Sequence, residues 1–92
     1  MYTKTAVVVN ETGLHARPAG EFAQAAKQFA CKITVKNISA GGSGVNGKSL
    51  VRIMGEEFSK GSEMEISADG EDEQKAAETL ASLVASGLGE PV

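Results

Sequence analysis

The chain has 92 residues, 41% of them hydrophobic and 23% charged, which is material for one core and excludes an enzyme assembled from separate substrate and cofactor domains. Its longest apolar run, Ala6 to Val9, is far too short to cross a membrane, no leader-like apolar stretch opens the chain, and the lone Cys31 cannot close an internal disulfide; a cytoplasmic protein without membrane insertion is expected. The net charge of −3 is uneven, with seven Lys or Arg against two acids in residues 1–54 and two against ten in residues 55–92; the basic half suits an acidic protein partner or a plain solvated face, and the lack of aromatic residues among the lysines argues against nucleic acid.

In chain order, Thr3 to Val9 is β-branched and short, a first strand ended by the turn-forming Asn10-Glu-Thr-Gly13. After Pro18 the apolar residues Ala19, Phe22, Ala23, Ala26, Phe29 and Ala30 recur at helical spacing. Proline is tolerated in the first turn of a helix, so Pro18 marks the start. Lys32 to Lys36 alternates as a half-buried strand does, and Ser39 to Gly44 reads as a glycine-rich hairpin with a short return around Val45. Ser49 is placed to cap a helix of a turn or two carrying Leu50, Ile53 and Met54, stopped by Gly55. From Ser62 the chain alternates again, with Met64, Ile66 and Ala68 on one face. Glu71, Asp72 and Glu73 then sit where a helix N-terminus is positive, ahead of the stripe Ala76, Ala77, Leu80, Leu83 and Val84 and a stop at Gly87. The order β-α-β-β-α-β-α with alternating strands predicts one α+β domain over residues 1–92, an antiparallel sheet wet on one face and covered by helices on the other.

His15, the only histidine, falls between the strand-ending turn and the helix start. A helix N-terminus offers backbone N–H groups without intrahelical partners and a partial positive charge, a seat for a phosphoryl group to which Ala16 and Arg17 contribute donors and Pro18 does not. Neutral imidazole is a nucleophile near pH 7, and the Arg17 guanidinium is a fork of donors for phosphate oxygens. With no acid–base partner and no metal-ligand cluster evident in the sequence, accepting and donating phosphoryl groups is the chemistry these elements support. The plainer alternative is a surface histidine at a helix cap.

Gly13-Leu-His-Ala-Arg-Pro-Ala19 resembles the active-site signature of the HPr family, the histidine-containing phosphocarriers of the bacterial phosphoenolpyruvate:sugar phosphotransferase system. The resemblance covers nearly the whole chain, since Asn46-Gly-Lys-Ser-Leu50, Lys60-Gly61, Ile66 to Glu73 and Gly87-Leu-Gly-Glu90 fall in the family's order. It implies an open-faced β-sandwich, a four-stranded antiparallel sheet with three helices on one face. It also implies a carrier transiently phosphorylated on histidine, without a cofactor or metal, rather than a stand-alone enzyme. His15 would take the phosphoryl group on Nδ1 from phosphorylated enzyme I and hand it to enzyme IIA proteins, with Arg17 assisting. Ser49 matches the position that an ATP-dependent HPr kinase/phosphorylase modifies in many Gram-positive members; a phosphate there would gain from the helix dipole and add a dianion to the docking surface. An ordinary capping serine is the alternative. Leu50, Val51 and Met54 fall where the family presents an apolar patch to its partners, with core packing the alternative for each.

Gly42 to Ser49 also fits the phosphate-cradling pattern G-x-x-x-x-G-K-[ST]. A working loop of that kind needs a buried parallel strand before it and a long helix after it, and Gly55 ends the helix too soon. Cys31 has no nearby histidine or second cysteine and reads as a packed thiol. The longer hairpin from Asn37 to Gly44, Arg52, and Glu56-Glu57-Phe58 depart from the usual family pattern without touching His15 or Arg17. They leave open which branch is served: sugar transport, a nitrogen-related branch or a dihydroxyacetone kinase system. A regulatory binding module of the same fold, its histidine never used, is the competing class.

Overall fold

A computed structural model describes residues 1–90. Its elements run β1 (Tyr2–Val7), α1 (Ala16–Ala26), β2 (Lys32–Asn37), β3 (Val45–Asn46), α2 (Leu50–Gly55), β4 (Glu63–Asp69) and α3 (Glu73–Ala85). The four strands form one sheet in the order β1-β4-β2-β3, every pair antiparallel. This is the expected open-faced α+β sandwich with three helices.

The strand alternation decides which face is covered. Met64, Ile66 and Ala68 of β4 lie beside Ile33 and Val35 of β2, with Ala6 of β1 on the same side, and all are buried. Beneath the helices they meet Ala19, Phe22, Ala23 and Ala26 of α1, Ile53 of α2 and Ala76, Ala77, Leu80 and Val84 of α3. Small residues on α3 let it lie close to β1 and β4, and α1 packs against α2 and α3. Phe22, wholly buried, carries the largest apolar side chain among these helix residues, a contribution of about 1.5–3 kcal/mol.

Element boundaries moved where distant parts of the chain intervene. The α1 stripe runs on in sequence to Ala30, but the helix ends at Ala26, because Gln28 and Phe29 donate to the carbonyls three residues back and the N–H groups of Ala30 and Cys31 are taken by the Asp72 carboxylate, each at 3.2 Å. At its other end α1 begins at Ala16, with Pro18 inside the first turn rather than opening it. Asp72 is the N-cap of α3 by backbone position, and its side chain serves the end of α1 rather than its own helix. α3 closes in a Schellman motif: Leu88 N–H donates to the Leu83 carbonyl at 2.9 Å and Gly87 N–H to that of Val84 at 3.1 Å. Gly87 adopts φ +93°, as that motif requires, and the buried Leu88 side chain seals it.

The unusual Glu56-Glu57-Phe58 segment belongs with the long hairpin. Glu56 Oε1 accepts the Asn37 N–H at 3.1 Å, and the buried Asn37 amide donates back to the Glu56 carbonyl at 3.3 Å. Those reciprocal bonds pin the β2–β3 connection to the end of α2.

Candidate functional site

His15 is the N-cap of α1. Its backbone is extended (φ −74°, ψ −172°), its carbonyl accepts the Ala19 N–H at 3.0 Å, and its side chain makes no capping bond. The imidazole is thus free of the work a capping serine would do, and its side chain is 43% exposed. The N–H groups of Ala16 and Arg17 lie in the first turn, where the helix offers no acceptor, and Pro18 brings none to donate. Arg17 is exposed, and among the described residues its guanidinium makes no ion pair or hydrogen bond. A fork of donors without a partner among the described residues, two backbone N–H groups and an imidazole therefore all belong to the first turn of one helix. Donors of these kinds can accept an oxyanion, and a neutral imidazole is a nucleophile.

The loop carrying His15 is fastened from below. Gly13 N–H donates to the Asn10 carbonyl at 2.9 Å, completing the expected turn, and Leu14 N–H donates to the Phe58 carbonyl at 2.9 Å. Leu14 and Phe58 are both buried, so the histidine stands on a packed base.

Two residues join the site that the sequence did not announce. Asn10, read as a turn former, is wholly buried; its Nδ2 donates to the Gly87 carbonyl at 2.9 Å and to Glu90 Oε1 at 2.7 Å. The other carboxylate oxygen of Glu90, Oε2, lies 3.1 Å from His15 Nε2. The C-terminal turn is folded back onto the histidine by a contact that spans 75 residues of sequence. Only the family segment Gly87 to Glu90 hinted at it, and nothing in the local spacing pairs Asn10 with Glu90.

Ser49 caps α2 as expected, its Oγ accepting the Arg52 N–H at 3.3 Å. Ile53 points into the core, while Leu50, Val51 and Met54 are 38%, 77% and 42% exposed. The apolar residues of this helix thus divide between core and solvent, with three of them facing outward. α2 packs against α1. In the Gly42 to Ser49 segment, β3 interrupts the loop, α2 has six residues, and Lys48 Nζ donates to the Phe29 carbonyl at 2.7 Å; the lysine is committed to the fold rather than free to reach a phosphate. Among the described residues, no three His, Cys, Asp or Glu side chains are grouped to hold a metal, and no helix is long and apolar enough to cross a membrane. Cys31 is buried, and burial together with a bond to Asp72 pushes its thiol up, away from the reactive thiolate.

The family described as "PTS HPr component phosphorylation site" matches residues 2–86. A phosphocarrier protein HPr of Haemophilus influenzae is 42% identical over 84 residues, 91% of this chain and 95% of its own. A multiphosphoryl transfer protein of Salmonella typhimurium is 40% identical over 84 residues, which are 91% of this chain but 22% of that protein. Among solved structures, the crystal structure of an HPr from Thermoanaerobacter tengcongensis superposes with a TM-score of 0.90 at 39% identity, covering 100% of both chains.

Proposed function

The chain belongs to the HPr family of phosphotransferase-system phosphocarriers, and from that premise we propose that it takes a phosphoryl group from phosphorylated enzyme I onto His15 and passes it to enzyme IIA proteins. The observation that carries this reading is the exposed His15 imidazole at the start of α1, in the same first turn as Arg17, whose side chain has no partner among the described residues, and as the N–H groups of Ala16 and Arg17. The Nδ1 lone pair attacks phosphorus, the bond from phosphorus to the donor breaks with its electron pair leaving on the donor, and the helix end and Arg17 hold the equatorial oxygens in flight. The reverse step on an acceptor regenerates the free imidazole. In this reading residues 1–92 act as one carrier domain working in the cytoplasm.

Partners dock, in this reading, on Leu50, Val51 and Met54 of α2, the apolar patch of the helix packed against α1. Ser49 at the head of α2 is the place where a kinase of the HPr kinase/phosphorylase type would interrupt docking, by adding a dianion beside that patch. Likeness to a segment of a multiphosphoryl transfer protein supports a life spent relaying phosphoryl groups. The test is incubation with phosphoenolpyruvate and catalytic enzyme I, followed by intact mass. One added phosphoryl group, lost again when an enzyme IIA protein is supplied, is the expected outcome. A protein that stays unmodified with active enzyme I would instead be a binding module of the same fold.

A further inference from the structure

The contact between His15 and the C-terminal turn does more than close the chain. Glu90 is a carboxylate whose two oxygens have separate tasks: Oε1 accepts from Asn10 Nδ2 at 2.7 Å, and Oε2 faces His15 Nε2 at 3.1 Å. A carboxylate only accepts, so the hydrogen in the second contact sits on Nε2. A neutral imidazole with hydrogen on Nε2 has its lone pair on Nδ1.

We propose that Glu90, held in place by Asn10, is a positioning residue that keeps His15 in the Nε2–H form and so leaves Nδ1 as the phosphoryl acceptor. The inference rests on the phosphocarrier reading above. Asn10 has the features of a residue kept for its donors alone: it is wholly buried, its Nδ2 makes both bonds, and its Oδ1 has no partner among the described residues. A buried unpaired carbonyl oxygen is costly. It is tolerated here because the amide group on the same side chain grips both the Gly87 carbonyl and Glu90. When Nδ1 bonds to phosphorus, the ring becomes cationic and keeps its Nε2 hydrogen. The Glu90 carboxylate then faces that charge, and no proton has to leave during transfer. Among the described residues, Nδ1 makes no hydrogen bond that would compete.

The arrangement predicts an order of variants that a purely structural tether does not. In Glu90→Gln, Asn10 Nδ2 selects the glutamine oxygen, so the glutamine NH2 must face His15 Nε2. That donor favours the form with hydrogen on Nδ1, which has no lone pair there for phosphorus. In Glu90→Ala the ring faces water and keeps its own preference. Glu90→Gln is therefore expected to accept phosphoryl groups more slowly than Glu90→Ala, by about three- to tenfold, the bias of one hydrogen bond at a half-exposed site. Removing the selector in Asn10→Ala/Glu90→Gln frees the glutamine to turn its oxygen to Nε2 and should restore the rate toward that of Glu90→Ala. Asn10→Asp sets two carboxylates against each other and should release the turn.

The experiment uses the full chain with phosphoenolpyruvate and enzyme I for initial rates, and long-range proton–nitrogen NMR of the unphosphorylated protein for the ring-nitrogen shifts. The expected result is an Nε2–H ring in wild type, a shift toward Nδ1–H in Glu90→Gln, and the rate order wild type, Glu90→Ala, Glu90→Gln. Equal rates for the two Glu90 variants with unchanged nitrogen shifts would overturn the inference while wild type still accepts phosphate. A wild type that accepts none would overturn the phosphocarrier reading itself. Circular dichroism of each variant, with Asn10→Ala alone as control, separates loss of the turn from loss of the fold.

Discussion

Gly13 lies so close to Phe58 that a Cβ on it would collide with the Phe58 carbonyl oxygen, and its φ of +69° is one that glycine adopts freely. The residue two places before His15 is thus fixed by both space and backbone conformation. Gly13→Ala is expected to cost about 1–3 kcal/mol, and because the neighbouring Leu14 N–H bond to Phe58 is what holds the loop, phosphoryl acceptance should fall with it. Urea denaturation midpoints and transfer rates check both effects; an unchanged midpoint would mean that the Phe58 segment yields without penalty.

Arg17 is expected to act on transfer more than on docking. Its guanidinium has no partner among the described residues, so it is available for phosphate oxygens that carry extra charge as the group moves. Arg17→Ala should slow transfer about tenfold or more, with a smaller change in affinity for enzyme I measured by calorimetry. Equal losses in both would make Arg17 a docking residue.

Ser49→Asp should leave the fold intact, since aspartate is as good an N-cap as serine, yet weaken binding to enzyme I. The new carboxylate lies three residues from Arg52 and beside Leu50, Val51 and Met54, which are exposed. The Lys48 ammonium is tied to the Phe29 carbonyl, whereas the Arg52 guanidinium makes no ion pair among the described residues and is available to answer it. The expected loss is about three- to tenfold, larger in low salt than at about 0.5 M, and Arg52→Ala should enlarge it. Salt-independent binding that ignores the substitution would place the docking surface elsewhere.

Acid should uncover the link between α3 and the end of α1. The Cys31 thiol, and the N–H groups of Ala30 and Cys31, hold the Asp72 carboxyl below its ordinary 3.8. A carboxyl depressed in the folded state contributes stability that is fully present above the unfolded value and lost as pH falls through the folded one. Wild type should therefore exceed Asp72→Asn in stability above pH 3.8, and the two should converge as pH falls below 3.8 and through the depressed folded value. A gap that persists in acid would show that the side chain's shape, not its charge, makes the link.

What could be read in the sequence was whatever is written in local spacing. The alternation of Met64, Ile66 and Ala68, the proline near the start of α1, the serine cap of α2 and the glycine stop of α3 each obey a rule within a few residues, and all four are found in place. The strand order β1-β4-β2-β3 was not legible, because each pairing is settled by which apolar faces meet and not by any one segment. The end of α1 was misjudged for the same reason: Phe29 and Ala30 continue the stripe, and only Asp72, 42 residues from Ala30, takes the backbone elsewhere. At the site, His15, Ala16 and Arg17 were visible as a run beside a helix start. Asn10 and Glu90 were not, since turn-forming chemistry explained the first and nothing in its neighbours explained the second. Glu56 likewise looked like a departure until Asn37 supplied its partner.

The account stands most directly on where the phosphoryl group goes. Wild type and His15→Ala should be incubated side by side with radiolabelled phosphoenolpyruvate and enzyme I, and the label then tested for release in acid. His15→Ala should keep the fold, because the side chain it removes is exposed and makes no capping bond. Acid-labile label on wild type and none on a folded His15→Ala is the predicted result; acid-labile label surviving in His15→Ala, or acid-stable label on wild type, would contradict it.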